Sequence, residues 1–254
     1  MSMIEIRDLS KSYGTFPALR ELTMDVRPGE LHAFLGPNGA GKTTTIKMLV
    51  GLIRPSSGSA RVDGLDVVAD SVEVKRRIGH VPDTPFLYDK LTAWEYLRLL
   101  AGLHGMDQQR FVARAELLLE SFSIAHRRDG LIEDFSLGMR QKLSFAGAFL
   151  HEPRAVIIDE PWVGLDPRAV RDVVDFLKAR NREGVTVLMS THSLSIAERI
   201  ADRATILHQG RLVAEGTMAE LLANRERLGL EELFLSLTEG QDEADAATRG
   251  ADSP

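Results

Sequence analysis

The sequence predicts an α/β fold with a largely parallel sheet, on three observations. Short apolar runs alternate with helix-length amphipathic segments over much of the chain. Two of those runs, 31–35 and 155–158, are almost wholly apolar, as strands buried on both faces are. Between them, residues 85–150 read as helices and form an insertion.

The elements follow in order. Residues 3–9 and 22–26 alternate apolar with polar, as half-buried strands do. Arg27-Pro28-Gly29-Glu30 is a turn, the buried strand 31–35 ends at a glycine, and a helix is expected over 42–52. Thr92-Ala93-Trp94-Glu95 is a capping-box pattern ahead of the apolar run 97–101. A second helix is predicted over 108–121, with Phe111, Ala115, Leu118 and Leu119 on one face, and a third from Leu137. Strand 155–158, helix 167–180, strand 185–190 and helix 195–200 then alternate. His208-Gln209-Gly210-Arg211 reads as a hairpin turn between strands 204–207 and 212–214. Residues 238–254 are acidic and lack large apolar side chains, so they are expected to be disordered.

Bulk properties exclude several classes. The net charge of -6 carries no basic stripe of a nucleic-acid binder. The chain has no cysteine, which removes disulfides and thiolate zinc sites. No stretch approaches the roughly 18 apolar residues that span a bilayer. The start, MSMIEIRDLSKSYG, has no signal-peptide core, so any membrane role is expected to come through a partner.

Gly36-Pro37-Asn38-Gly39-Ala40-Gly41-Lys42-Thr43 fits G-x-x-x-x-G-K-[ST]. Glycines let a backbone wrap a polyphosphate with its N–H groups, and the following helix aims its N-terminus at the anion. Lys42 supplies a point charge for the β and γ phosphates, and Thr43 a hydroxyl for Mg²⁺. An apolar strand before and a helix after separate this loop from a chance Gly-rich turn. Residues 155–161, AVIIDEP, place two carboxylates at a strand end. Asp159 suits the Mg²⁺ shell and Glu160 suits accepting a proton from an attacking water. Alone, Asp-Glu-Pro would be an ordinary polar strand end.

With these motifs the chain resembles the nucleotide-binding subunits of the ABC ATPases over about residues 3–237. Phe135-Ser136-Leu137-Gly138-Met139-Arg140-Gln141-Lys142 resembles their signature, although Ser136 also reads as a plain helix cap. Gly164-Leu165-Asp166-Pro167 resembles the D-loop, with Asp166 doubling as an N-cap before Pro167. Ser190-Thr191-His192 resembles the switch histidine, and Tyr13 the aromatic that stacks on adenine.

The resemblance implies a P-loop NTPase (RecA-like) core with a mainly parallel sheet, an N-terminal antiparallel β subdomain and an inserted α-helical subdomain. One ATPase domain would span 1–237. ATP and Mg²⁺ are the implied cofactors. ATP would be held by Tyr13, residues 36–43 and Thr44, with Ser136, Gly138 and Asp166 of an opposed subunit completing the site. Thr43, Asp83 and Asp159 would serve the metal, and Glu160, His192 and Lys42 the chemistry. The implied assembly is a head-to-tail dimer, of one chain or with a paralogue, with two ATP at its interface. It would sit on the inner face of the cell membrane through a separate permease, with no nucleic acid involved.

Three positions depart from the family pattern. Met139 stands where Gln is frequent, and Trp162, read as packing, stands where smaller residues are usual. Asp83 replaces the Gln of the Q-loop in Ile78-Gly79-His80-Val81-Pro82-Asp83. A carboxylate is a harder, charged ligand on a shorter arm; alternatively, Asp83 caps the turn between Pro82 and Pro85. An acidic residue here, the altered signature and the pattern over 230–237 resemble the separately encoded ATPases of two-component exporters. The alternatives are a soluble ABC ATPase outside transport, a regulatory ATP-binding subunit with little turnover, and a small P-loop kinase. Only the last fails to explain the signature, the D-loop and His192.

Overall fold

The structure is a computed structural model that describes residues 2–162, 164–223 and 230. The acidic segment 238–254, and the 230–237 pattern apart from Leu230, lie outside the described residues.

Two sheets carry the described strands. The first is antiparallel, in the order β2 (Phe16–Val26), β1 (Ile4–Tyr13), β4 (Ser57–Val62), β5 (Leu65–Asp66). The second has the order β10 (Arg211–Thr217), β9 (Arg203–His208), β3 (Leu31–Leu35), β8 (Thr186–Thr191), β7 (Ala155–Asp159), β6 (Ile78–Val81). All its pairings are parallel except the β9–β10 hairpin. This is the RecA-like core with an antiparallel N-terminal sheet and a helical insertion that the resemblance implied.

Strands β1 and β2 run longer than the alternation predicts because both are bulged. Asp8 and Glu21 take positive φ values of 49° and 47°, and the register shifts around them. Side chains replace the missing ladder bonds: Asp8 N–H donates to Thr23 Oγ1 at 2.9 Å and Glu21 N–H to Ser10 Oγ at 2.8 Å. A bulge breaks the period-two alternation that identifies a strand. Strands β4 and β5 and helix α2 (Ser71–Arg77) escaped notice for want of a pattern, and β6 because Gly79 and His80 interrupt it. Helix α1 (Lys42–Leu49) ends earlier than expected, where the Leu52 N–H closes onto the Lys47 carbonyl at 2.8 Å.

The insertion holds α3 (Ala93–Leu103), α4 (Gln108–Ser121) and α5 (Leu137–Phe149). Thr92 makes the full capping box on α3, and the four residues expected to face inward from α4 are its buried ones. The insertion is fastened to the core through aromatic rings. Phe176 of α6 (Pro167–Arg182) lies 4.6 Å from Phe122 and 4.9 Å, edge-on, from Phe149. Such pairs add about 0.5–1.5 kcal/mol each beyond burial. The sheet is thus covered by the insertion helices and α6 on one face, and by α1 and the antiparallel sheet on the other.

Strand β6 approaches α5 with no space for a side chain at Gly79. A Cβ there would stand 2.2 Å from the Ala148 carbonyl oxygen, which is backbone and cannot swing away. Gly79→Ala should therefore lower stability by about 1–3 kcal/mol, read as a fall in the urea midpoint. An unchanged midpoint would contradict this close approach.

Candidate functional site

Strand β3 delivers the chain into the loop at 36–41, and α1 starts at Lys42. The loop is packed to the limit. A Cβ on Gly36 would lie 2.4 Å from the Leu207 carbonyl oxygen, and one on Gly41, at φ 103°, 2.7 Å from that of Ala18. Helices α3 to α6 are each capped by their own N-cap side chain, but α1 begins at Gly41 with none. Its first N–H groups are therefore left to an anion.

Lys42 lies 5% exposed. Its Nζ donates to the carbonyls of Gly36 at 2.6 Å and Pro37 at 3.1 Å, and stands 3.7 Å from Glu160 Oε1. Burial pushes the ammonium below its ordinary pKa, and the charges of Glu160 and Asp159 oppose that.

Asp159 ends β7, buried. It accepts a short hydrogen bond from Ser190 Oγ of β8. Burial raises its pKa; hydrogen bonds from Ser190 and Thr43 pull it down, and the charges of Asp83 and Glu160 push it up. Glu160 sits at φ 44°, a region that costs an ordinary residue about 1–3 kcal/mol. Its N–H is shared between Ser190 O at 3.2 Å and Ser190 Oγ at 3.1 Å. Glu160 Oε2 is 2.8 Å from His192 Nδ1, while Oε1 is buried without a hydrogen-bond partner. A buried, underbonded carboxylate oxygen beside an ammonium is an acceptor held ready for a proton or a water.

Tyr13, 49% exposed, and Phe16, 64% exposed, stand on the rim of the same cleft. Phe16 was not singled out in the sequence; it pairs with Tyr13 across the β1–β2 turn, and an exposed aromatic in a turn was the available signal. The cleft has a volume of about 320 Å³, and Asn38, Thr43, Thr44, Asp83 and Glu160 are among its lining residues. Asp83 also accepts the Thr84 N–H at 2.8 Å, so it caps its turn while facing the cleft. Among the described residues no group of three or more His, Cys, Asp or Glu could hold a metal alone. Thr43, Asp159 and Asp83 fit Mg²⁺, which takes one or two carboxylates and fills its shell with water and phosphate oxygens.

Ser136, Gly138 and Asp166 do not line this cleft. They line a separate hollow of about 210 Å³ with Met139, Lys142 and Gly164. Ser136 caps α5 by accepting Met139 N–H at 3.3 Å, and Asp166 caps α6 through Arg168 and Ala169 at 2.9 and 2.8 Å. A Cβ on Gly138 would meet the Gly164 carbonyl oxygen at 2.8 Å, so signature and D-loop pack on each other within one chain. Gln141, fully buried on α5, donates to the Pro161 carbonyl at 3.4 Å. Trp162 packs on the core as read, and its Nε1 also donates to Thr191 Oγ1 at 3.1 Å.

A third hollow, about 280 Å³, lies between β6 and the insertion, with His80, His104, His151 and Tyr96 among its lining residues. His104 and His151 stack at 3.7 Å and 10°, and His151 Nε2 lies 3.0 Å from the Ile78 carbonyl oxygen. A carbonyl only accepts, so Nε2 carries the proton.

The family described as ABC transporter matches residues 19–163. The daunorubicin/doxorubicin resistance ATP-binding protein DrrA of Streptomyces peucetius is 39% identical over 243 residues, covering 96% of this chain and 73% of its own. The structure of an ATP-binding subunit of an ABC transporter superposes with a TM-score of 0.88 at 37% identity, over 93% of this chain and 99% of its own. A dimeric bacterial ABC transporter cassette superposes with a TM-score of 0.79 at 26% identity, over 85% and 99%.

Burial pushes His80 and His151 each down to about 4; Asp83 pulls His80 back, while His104 and Arg110 push His151 further down. Unfolded imidazoles titrate near 6.5. Between these values the unfolded chain binds protons that the folded chain refuses. Their contribution to stability is thus complete above about pH 6.5 and is lost as pH falls towards 4. It amounts to about 3 kcal/mol per imidazole at most. The double variant His80→Gln, His151→Gln should show a flatter urea midpoint across this window than the parent chain. An equally steep fall in both would contradict the assignment.

Proposed function

The chain belongs to the ABC transporter ATPase family, and from that premise we propose that it is the ATP-hydrolysing motor of an exporter, working as one half of a dimer on a separate membrane permease. Membership implies ATP binding and hydrolysis. Residues 1–237 form the ATPase domain in this reading. The observation that carries the mechanism is the Glu160 carboxylate, held between Lys42 at 3.7 Å and His192 at 2.8 Å.

The 36–41 loop, the N-terminus of α1 and Lys42 take the phosphates, with Thr44 beside them, and Tyr13 stacks on the adenine. Thr43, Asp159 and Asp83 hold Mg²⁺, which neutralises phosphate charge when bound. Glu160 Oε1 accepts the proton of the attacking water. His192 donates from Nδ1 to Oε2, fixing the carboxylate, and reaches the γ-phosphate from Nε2 only as the doubly protonated imidazolium. Ser136 and Gly138 act on the nucleotide of the opposed subunit, and Asp166 links the two sites. Their place in a separate hollow supports that division, since one chain alone leaves its Lys42 cleft without them. The dimeric relative supports it too.

The drug-resistance relative supports export. No helix among the described residues is long and apolar enough to cross a membrane. A place on the cytoplasmic face then requires a docking surface. Phe86 and Tyr88, 82% and 63% exposed just beyond Asp83, supply its apolar contacts.

Two experiments test this. Glu160→Gln should cut the steady-state ATPase rate by about 100-fold or more, still bind MgATP, and elute as a dimer only when MgATP is present. Normal hydrolysis by this variant would sink the role of Glu160. An inactive parent chain with no ATP-induced dimer would favour the regulatory reading. Secondly, the tagged chain should co-purify from membranes with an integral membrane protein, and Phe86→Ser with Tyr88→Ser should reduce that recovery several-fold. Recovery in the membrane-free fraction alone would contradict the transport reading.

A further inference from the structure

The cleft around Lys42 is unbalanced in charge. Its lining carries one ammonium, Lys42, against two carboxylates, Asp83 and Glu160. A third carboxylate, Asp159, is buried at the end of β7, close enough to feel the charge of both. Lys42 is already engaged by Glu160 and by two carbonyls. Asp83 accepts a bond from Thr84 N–H and makes no ion pair among the described residues.

We propose that Asp83 makes nucleotide binding conditional on a divalent cation, so that the cleft accepts MgATP and rejects metal-free ATP. The proposal rests on the reading of this cleft as the nucleotide site. A bare triphosphate is a polyanion, and it would join three carboxylates that one lysine cannot neutralise. Glu160 faces Lys42, and Asp159 is buried with its carboxylate held by hydrogen bonds from Ser190 and Thr43. Asp83 is exposed at the cleft, and among the described residues no cation is paired with it. A divalent cation reverses the sign of the interaction, since it attracts the carboxylate and the phosphates together. A neutral amide would bind the metal without repelling the bare nucleotide. The charge therefore keeps the motor from loading a nucleotide that it cannot hydrolyse.

The test is isothermal titration of the full chain with ATP, once with Mg²⁺ and once with EDTA, for the parent, Asp83→Asn and Asp83→Glu. Asparagine keeps an Oδ1 acceptor for the Thr84 N–H, so it removes the charge and little else. The ratio of the Kd in EDTA to the Kd in Mg²⁺ should fall about tenfold in Asp83→Asn, through tighter metal-free binding. Asp83→Glu, which keeps the charge, should retain the parent ratio. A variant that binds MgATP is folded, so the Mg²⁺ arm is its own control. An unchanged ratio in Asp83→Asn overturns the proposal, as does a change confined to the Mg²⁺ arm, which would make Asp83 a metal ligand only. A parent chain that binds no MgATP overturns the nucleotide reading itself, and this inference with it.

Discussion

The parallel pairing of β7 with β8 sets where the chemistry can be. Asp159 stands opposite Ser190, and on the other side of β8, Thr191 stands opposite Leu35 of β3. On the far side of β7, Ile158 faces Val81 of β6. Four adjacent strands in the order β3, β8, β7, β6 thus finish along one edge. The residues that leave that edge are Gly36, His192, Glu160 and the Pro82-Asp83 turn. A parallel sheet puts its loops at the carboxyl ends of its strands, where ligands bind in open α/β folds. Segments more than a hundred residues apart in sequence meet because their strands pair in that register.

The local costs gather at the same edge. Glu160 takes a backbone conformation that side chains avoid, Lys42 is buried, and Asp159 is held above its ordinary pKa by desolvation. None of these would persist in an ordinary loop. They persist because Ser190 binds both the Asp159 carboxylate and the Glu160 N–H, over-determining the turn from the neighbouring strand. A polyphosphate and a hard cation are the chemistry for which a buried ammonium and underbonded carboxylates are suited.

Those features divide by how far they could be read in the sequence. The phosphate loop, the paired carboxylates and the capped helices are local, and each can be read where it stands. The capping box at Thr92 and the buried face of α4 needed only a turn or two of pattern. What escaped was set by distant partners. Ser190 was legible as a strand residue, but its bond to Asp159 exists only through the β7–β8 register. Gln141 looked like one letter of a motif until its carbonyl partner at Pro161 came into place. The bulges at Asp8 and Glu21 hid half of two strands because side chains from the facing strand hold them.

Helix α5 lines two of the hollows and reaches the third only through the residue after Glu160. Its N-terminal turn, with Gly138 against Gly164, forms the hollow of Ser136 and Asp166. One turn on, Gln141 holds the carbonyl of Pro161, the residue after Glu160. Further along, Ser144, Gly147 and Ala148 line the hollow of the three histidines against β6, and β6 leads directly into Asp83. A helix is stiff along its axis, and this one is buried from Leu143 to Phe149. It cannot tilt at one end without moving the other contacts. A displacement of the insertion would therefore reach the Pro161–Asp166 turn and the β6–Asp83 loop together. The helix that carries Gly138 beside the hollow of Ser136 and Asp166 is the one that lines the histidine hollow against β6, so a movement at either end is felt at the other.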